Sequence, residues 1–303
     1  MEHKMSDRSV LLKRASAASV CVAVTLMLLK LLAWWLSGSV SLLASLMDSA
    51  TDILASMINL FAVRLAMCRA DNNHHYGHGK AESLSALSQA MFITGSSFFL
   101  IINALPRLFA PQPLSHNTIG IVVMLISLGA TLALVRYQHF VLKQVDSPSV
   151  HADSLHYLSD TLTGMGVLLA LVLNSAFNIA IADPILAILI GIYMLYGVYQ
   201  IVYDAVSALM DVALPEAEMD MIRAAIARVD GYIGVHRLRA RKSGAWRIID
   251  MHMEFSDDIS LQNAHKINDR VEKSIAACFD APCEIMIHLE PRSVAFDDQH
   301  KIQ

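Results

Sequence analysis

The sequence predicts an α-helical membrane domain of six spans followed by a small α+β domain, and three observations predict it. Hydrophobic residues make up 55% of the 303, more than an ordinary soluble domain carries. Charge is divided unevenly: residues 1–210 hold 22 Asp, Glu, Lys and Arg, and the remaining 93 hold 28. Six apolar runs in the first part are each long enough for a hydrocarbon core of about 30 Å. The net charge of −4, with no basic stripe among aromatics, argues against a nucleic-acid partner.

The runs lie at about 15–36, 40–66, 84–106, 117–141, 152–174 and 183–205. The first follows Lys13 and Arg14 and exceeds 20 residues, too long for a signal-peptide core, so it reads as a retained span. Positive charge gathers at Lys4, Arg8, Lys13 and Arg14, at Arg64, Arg69 and Lys80, and at Arg136 and Lys143. The opposite loops carry little beyond Arg107. The positive-inside rule therefore places both termini, the 67–83 loop, the 142–151 loop and the C-terminal domain in the cytoplasm. Trp34 and Trp35 read as an aromatic anchor at the outer interface. Lys30, about one and a half turns before them, either snorkels outward or pairs internally. The expected division is a transport-type membrane domain over 1–210, a soluble domain over 211–292 and a tail over 293–303. Cys21, Cys68, Cys278 and Cys283 form no CxxC pair and imply a reduced compartment.

Beyond Asp211 the periodicity changes. Met219, Ile222, Ile226 and Val229 repeat at helical spacing over about 216–229. Strand-like runs follow at 233–241 and 246–256, joined by a turn at Ser243-Gly244. A second helix over about 260–278 offers Ile267, Val271, Ile275 and Cys278 to a core, and a last strand over 283–290 alternates Cys283, Ile285, Ile287 and Leu289. Helix–strand–strand–helix–strand in some 80 residues fits a metallochaperone-like, ferredoxin-like α+β sandwich.

Three groups of residues carry chemistry. Asp48 and Asp52 stand one helical turn apart in the second run, and His156 and Asp160 repeat that spacing in the fifth. An Asp at the centre of a span costs roughly 2.5–3.5 kcal/mol on insertion scales, so such residues imply a use. Positions i and i+4 share a helix side, so the two pairs facing one another offer three carboxylates and an imidazole to a divalent cation. Adjacent buried carboxylates cannot all stay charged when empty, so metal and proton compete for the same groups. The second group is Asp71, His74 and His78 in a loop that also holds Asn72, His75, Gly77 and Lys80. The third is His236, His252, His265, His288 and Glu290. Strand parity turns His252 away from a core face of Arg247, Ile249, Met251, Met253 and Phe255, and puts His288 and Glu290 together on the outer face of the last strand. Such a cluster cross-links small elements and is suited to stapling two subunits. HExxH, GxSxG, P-loop and post-strand GxGxxG motifs are all missing, so no enzyme is indicated.

The stretches Gly38–Ser49, Tyr76–Ser83 and Ala152–Tyr157 resemble the cation diffusion facilitator family, in particular its bacterial ferrous-iron/zinc efflux branch, over residues 10–292 or thereabouts. The resemblance implies a homodimer in the bacterial inner membrane, with six spans per subunit. It implies proton-driven export of divalent metals, Zn2+ with Cd2+ and Fe2+, and structural Zn2+ in the cytoplasmic domain. By position, Asp48, Asp52, His156 and Asp160 match the family's transport site, and Asp71, His74 and His78 its loop site. His236, His252, His265, His288 and Glu290 match its binuclear cytoplasmic site, Lys80 and Asp211 its interlocking pair at the dimer junction, and Leu155 an apolar gate. Glu290 stands where relatives carry Asp, and Asn72 and His75 where they carry Asp and a small residue. The rival readings are a membrane-anchored metal sensor, an exporter preferring Mn2+ or Co2+, and an intramembrane metallohydrolase.

Overall fold

The computed structural model describes residues 2–37, 40–68, 70–109, 118–177, 179 and 181–294. Gly38, Ser39, Arg69 and the tail from 295 onward lie outside the described residues. Six helices come first: α1 (Glu2–Ser37), α2 (Val40–Ala66), α3 (Ala81–Phe109), α4 (Thr118–Leu142), α5 (Pro148–Phe177) and α6 (Ala182–Leu209). All six are long and apolar enough to cross a membrane. Then come α7 (Glu216–Ala227), β1 (Gly234–Ser243), β2 (Trp246–Phe255), α8 (Leu261–Ala276) and β3 (Cys283–Pro291). The chain falls into two compact units, Ser6–Ser207 and Met1–Met5 with Ala208–Gln303.

Several helices outrun the apolar stretches that predicted them. Hydropathy marks only the lipid-matched centre of a helix, whereas backbone hydrogen bonding continues through polar turns until the local chemistry stops it. The segment 2–37 contains no Gly or Pro, and α1 runs through all of it. α5 begins at Pro148, whose missing N–H is no loss in a first turn, and the Ser147 Oγ accepts from the Val150 N–H at 3.4 Å as a cap.

The membrane unit packs through small residues. Ala86, Ala90 and Ile93 of α3 meet Ala152 of α5 and Met194, Val198, Ile201 and Ala205 of α6. Leu12, Ala15, Val63, Val141, Val145 and Val150 join α1, α2, α4 and α5 in a second cluster. Large apolar side chains such as Leu28, Phe99, Leu132, Phe140 and Val172 stay exposed on the outside, as lipid-facing positions require.

The second unit is a three-stranded sheet in the order β1-β2-β3, with β1 antiparallel and β3 parallel to β2. Met219, Ile222 and Ile226 of α7 and Ile267, Val271 and Ile275 of α8 bury against Ile249, Met251, Met253 and Phe255 of β2. Helix α8 is capped by the Ser260 side chain, which accepts from the Asn263 N–H. Arg247 begins the core-facing row but does not bury its head: its Nε donates to Glu218 at 2.7 Å and its guanidinium lies 4.5 Å from the Phe279 ring centre. All four cysteines are free, and burial pushes the Cys283 thiol up, away from a reactive thiolate.

Candidate metal centres

The α5 face of the membrane unit holds His156 one turn before Asp160, and α2 presents Asp52 towards them. The His156 Nε2 lies 3.2 Å from the Asp52 Oδ1. Asp52, His156 and Asp160 each offer one donor atom, all within 4.8 Å of one another. The edge of a tetrahedron built on bonds of 2.0–2.1 Å is about 3.3–3.4 Å, so the His156–Asp52 pair stands near a ligand-to-ligand separation. Asp48 is not brought into this group. Asp48 shares a side of α2 with Asp52 but sits a full turn away along the axis, and of the two only Asp52 has a carboxylate oxygen within reach of both the His156 and the Asp160 donors.

Behind His156, α5 is held by a buried polar shell. The fully buried Asp153 accepts from the Ser19 Oγ of α1, from the Gln138 Nε2 of α4 at 2.7 Å and from the Gln89 Nε2 of α3 at 3.2 Å. One turn on, the Tyr157 hydroxyl meets the Ser56 Oγ of α2 at 2.7 Å and donates to the Ser19 carbonyl at 3.2 Å. These bonds tie α5 to four other helices and fix the rotation that aims His156 at Asp52. Leu155, between the two levels, is seated on α6: a Cβ at Gly197 would stand 2.8 Å from the Leu155 Cδ2. Lys30 of α1 pairs inward, its Nζ donating to the Ser49 Oγ at 2.7 Å and to the Ser45 carbonyl at 3.3 Å.

The loop between α2 and α3 is organised by Asp71. Its Oδ1 accepts from the Asn73 N–H at 2.8 Å and the His74 N–H at 2.7 Å. Those donations, His74 first, hold its carboxyl below the usual carboxylate range. Gly77 takes a φ of 75°, a left-handed turn that brings His78 back beside Asp71. The His74 Nδ1 and His78 Nε2 then each lie 3.4 Å from an Asp71 oxygen, with the two rings 4.5 Å apart.

Sheet register builds the third centre. His236 pairs with His252 and His252 with His288, so three imidazoles stand in a row across β1, β2 and β3. Glu290 is 4% exposed although it belongs to the outward row of β3, because the imidazoles cover it. Its Oε1 meets the His252 Nδ1, while its Oε2 and the His236 Nε2 face each other at 3.3 Å, both buried and without a hydrogen-bond partner among the described residues. Two buried donor atoms at a tetrahedral edge length, neither satisfied among the described residues, fit a divalent metal ion of the kind that the resemblance implied. His288 stays at the rim, 65% exposed, with its Nε2 3.4 Å from Glu290. His265 is not gathered in; it sits on α8 with its Nε2 3.7 Å from Asp269. Glu254 was missed. It holds the His236 Nδ1 at 3.0 Å, and its strand parity with His252 was the available sign. Asp211 is paired with Arg241 at 2.9 Å.

Two family models cover nearly all of this architecture. The cation efflux transmembrane domain matches residues 16–210, and the cytoplasmic domain of cation efflux proteins matches residues 214–292. The chain belongs to the cation efflux family. Curated relatives carry the same assignment: the cation-efflux pump FieF of Klebsiella pneumoniae is 44% identical over 94% of both chains, and that of Yersinia enterocolitica is 42% identical over 96% of both. The FieF pump of Escherichia fergusonii is 43% identical over 94% of both chains. A solved structure of the metal-bound C-terminal domain of the CzcD transporter from Thermotoga maritima is 28% identical, covering 26% of this chain and 94% of its own, with a TM-score of 0.24. Membership in the cation efflux family makes the chain a multi-pass membrane transporter of divalent cations, with the fold expected from its sequence.

Proposed function

We propose that this cation efflux protein is a proton-coupled antiporter that exports Zn2+, with Cd2+ and Fe2+ as further substrates, from the cytoplasm across the bacterial inner membrane. The observation that carries the reading is the trio of Asp52, His156 and Asp160, joined across two membrane helices with 3.2 Å between the His156 Nε2 and the Asp52 Oδ1. A metal ion displaces protons from such groups, and protons arriving from outside displace the metal. Asp48 completes the four-donor set when α2 shifts against α5. Leu155 closes the path beside the site, and movement of helices about the trio alternates access.

The remaining assignments follow from the same reading. Residues 1–210 form the transport domain, 211–292 the cytoplasmic dimerisation domain, and 293–303 a tail; both termini are cytoplasmic. Asp71, His74 and His78 deliver cations to the transport site. His236, His252 and Glu290 hold structural Zn2+ in the cytoplasmic domain. Held there, Zn2+ would cross-link β1, β2 and β3, and His288, at the rim, and His265 would complete a binuclear set when two subunits pair. Lys80 and Asp211 interlock at the dimer junction. The test is pH-gradient-driven zinc uptake into liposomes: Asp160→Ala protein loses uptake, and uptake at the wild-type rate would remove the trio from the transport path.

A further inference from the structure

We propose that Lys30 is a tethered counter-charge of the transport site, setting its net charge to match a divalent ion; the inference rests on reading Asp48, Asp52, His156 and Asp160 together as that site. An ammonium within a membrane span ordinarily reaches for the headgroups or pairs internally. Lys30 does the second. Its Nζ is drawn to α2 by the Ser49 Oγ at 2.7 Å and the Ser45 carbonyl at 3.3 Å, and Ser49, itself 1% exposed, immediately follows Asp48. The tether therefore places a positive charge on the helix that supplies both α2 carboxylates, within electrostatic reach of Asp48 and of Asp160 on α5. Both Lys30 partners are neutral, so the bonds position the charge without cancelling it.

The charge balance gives this placement its meaning. With the carboxylates of Asp48, Asp52 and Asp160 ionised and the imidazole neutral, the site alone carries three negative charges, and a dication leaves one uncancelled. Over the four donors and the Lys30 ammonium alone two remain, and one divalent ion cancels them. A monovalent ion leaves a negative remainder and a trivalent ion a positive one, each a charge the site must carry uncompensated. The same charge repels the bound dication, so it limits affinity and lets the cargo leave. Lys30 touches no donor atom of the trio among the described hydrogen bonds and acts through its field, as a specificity-determining residue.

The test uses full-length protein in which Asp71→Ala and His252→Ala silence the other two centres. Zinc affinity in detergent and the KM and kcat of zinc flux in liposomes are measured for Lys30→Met, Lys30→Arg, Ser49→Ala and Asp160→Ala, with thermal midpoints as a folding control. Lys30→Met binds zinc about tenfold or more tightly and turns over more slowly, with both KM and kcat reduced, because a repelling charge is removed from a partly buried site. Lys30→Arg keeps the charge and the wild-type affinity. Ser49→Ala releases the tether and falls between. If Asp160→Ala abolishes binding while Lys30→Met binds zinc equally or less tightly, the counter-charge is overturned and Lys30 is a helix clamp, which moves thermal midpoints but not affinity. If Asp160→Ala binds zinc as the parent does, the transport-site reading fails, and this inference falls with it. A Lys30→Met protein that does not fold leaves the decision to Ser49→Ala, whose affinity must rise if the field acts and stay fixed if it does not.

Discussion

The trio in the membrane and the cluster on the sheet use similar donors and differ in how firmly the fold fixes them. Across β1, β2 and β3 the backbone register alone places His236, His252 and His288 side by side, and Glu290 is buried beneath them. Moving one ligand there means breaking a strand ladder. In the membrane, Asp52 reaches His156 from a separate helix, and Asp48 stands a turn away, outside the group. Moving a ligand there needs only a rotamer change or a small helix displacement. A register-locked site suits an ion that stays, and a site assembled between helices suits one that leaves.

Removing the two centres in turn should separate their roles. Asp52→Ala lowers zinc flux in liposomes by at least about a hundredfold while leaving zinc bound to the cytoplasmic domain, as read by metal content after desalting. Glu290→Ala does the reverse: it loses the retained zinc and keeps measurable flux. For the parent protein, zinc at about 100 times its Kd adds roughly 2.7 kcal/mol to the stability of the cytoplasmic unit, a shift in thermal midpoint that Glu290→Ala abolishes. A variant that loses both flux and retained zinc would show that the centres are not separable in this way.

A smaller effect sharpens the membrane half. Gly197→Ala puts a methyl against Leu155 and destabilises the membrane unit by about 1–3 kcal/mol. Adding Leu155→Ala restores part of that loss, so the double-mutant cycle gives a coupling energy of at least about 0.5 kcal/mol. Additive values would mean that Leu155 is not seated on α6.

The smallest effect lies in the loop. Because backbone donation depresses the folded-state pKa of Asp71, its contribution to the turn is complete above the ordinary carboxylate range, about pH 4, and is lost as pH falls through the lower folded value. Amide exchange at Asn73 and His74 should therefore stay protected at pH 4 and open only in stronger acid, and Asp71→Ala should remove the protection at every pH. Equal protection in Asp71→Ala would show that the turn holds without the carboxylate.

Much of this was legible in the sequence because it depends on period. The i, i+4 spacing of Asp48 and Asp52 and of His156 and Asp160, and the alternation that sets His252 opposite Met251, survive any packing arrangement. What depends on which helices become neighbours was not legible. Nothing in the local pattern says that Gln89, Gln138 and Ser19 converge on Asp153, or that Lys30 turns inward to Ser49. The same holds for Asp48: spacing puts it on the side of α2 that it shares with Asp52, and only the packing of α2 against α5 decides that Asp52 is the one grouped with His156. His265 shows the converse limit, since residue type suggested a ligand and its place on α8 gives it Asp269 as a partner.

The most direct test of metal–proton competition at the trio is the number of protons released when zinc binds. Calorimetry in buffers of different ionisation enthalpy, on full-length protein carrying Asp71→Ala and His252→Ala, reads that number without any transport step. Proton release on zinc binding is expected in this background, and the loss of both binding and release when Asp160→Asn is added. Zinc binding without proton release, or release unchanged by Asp160→Asn, would contradict it.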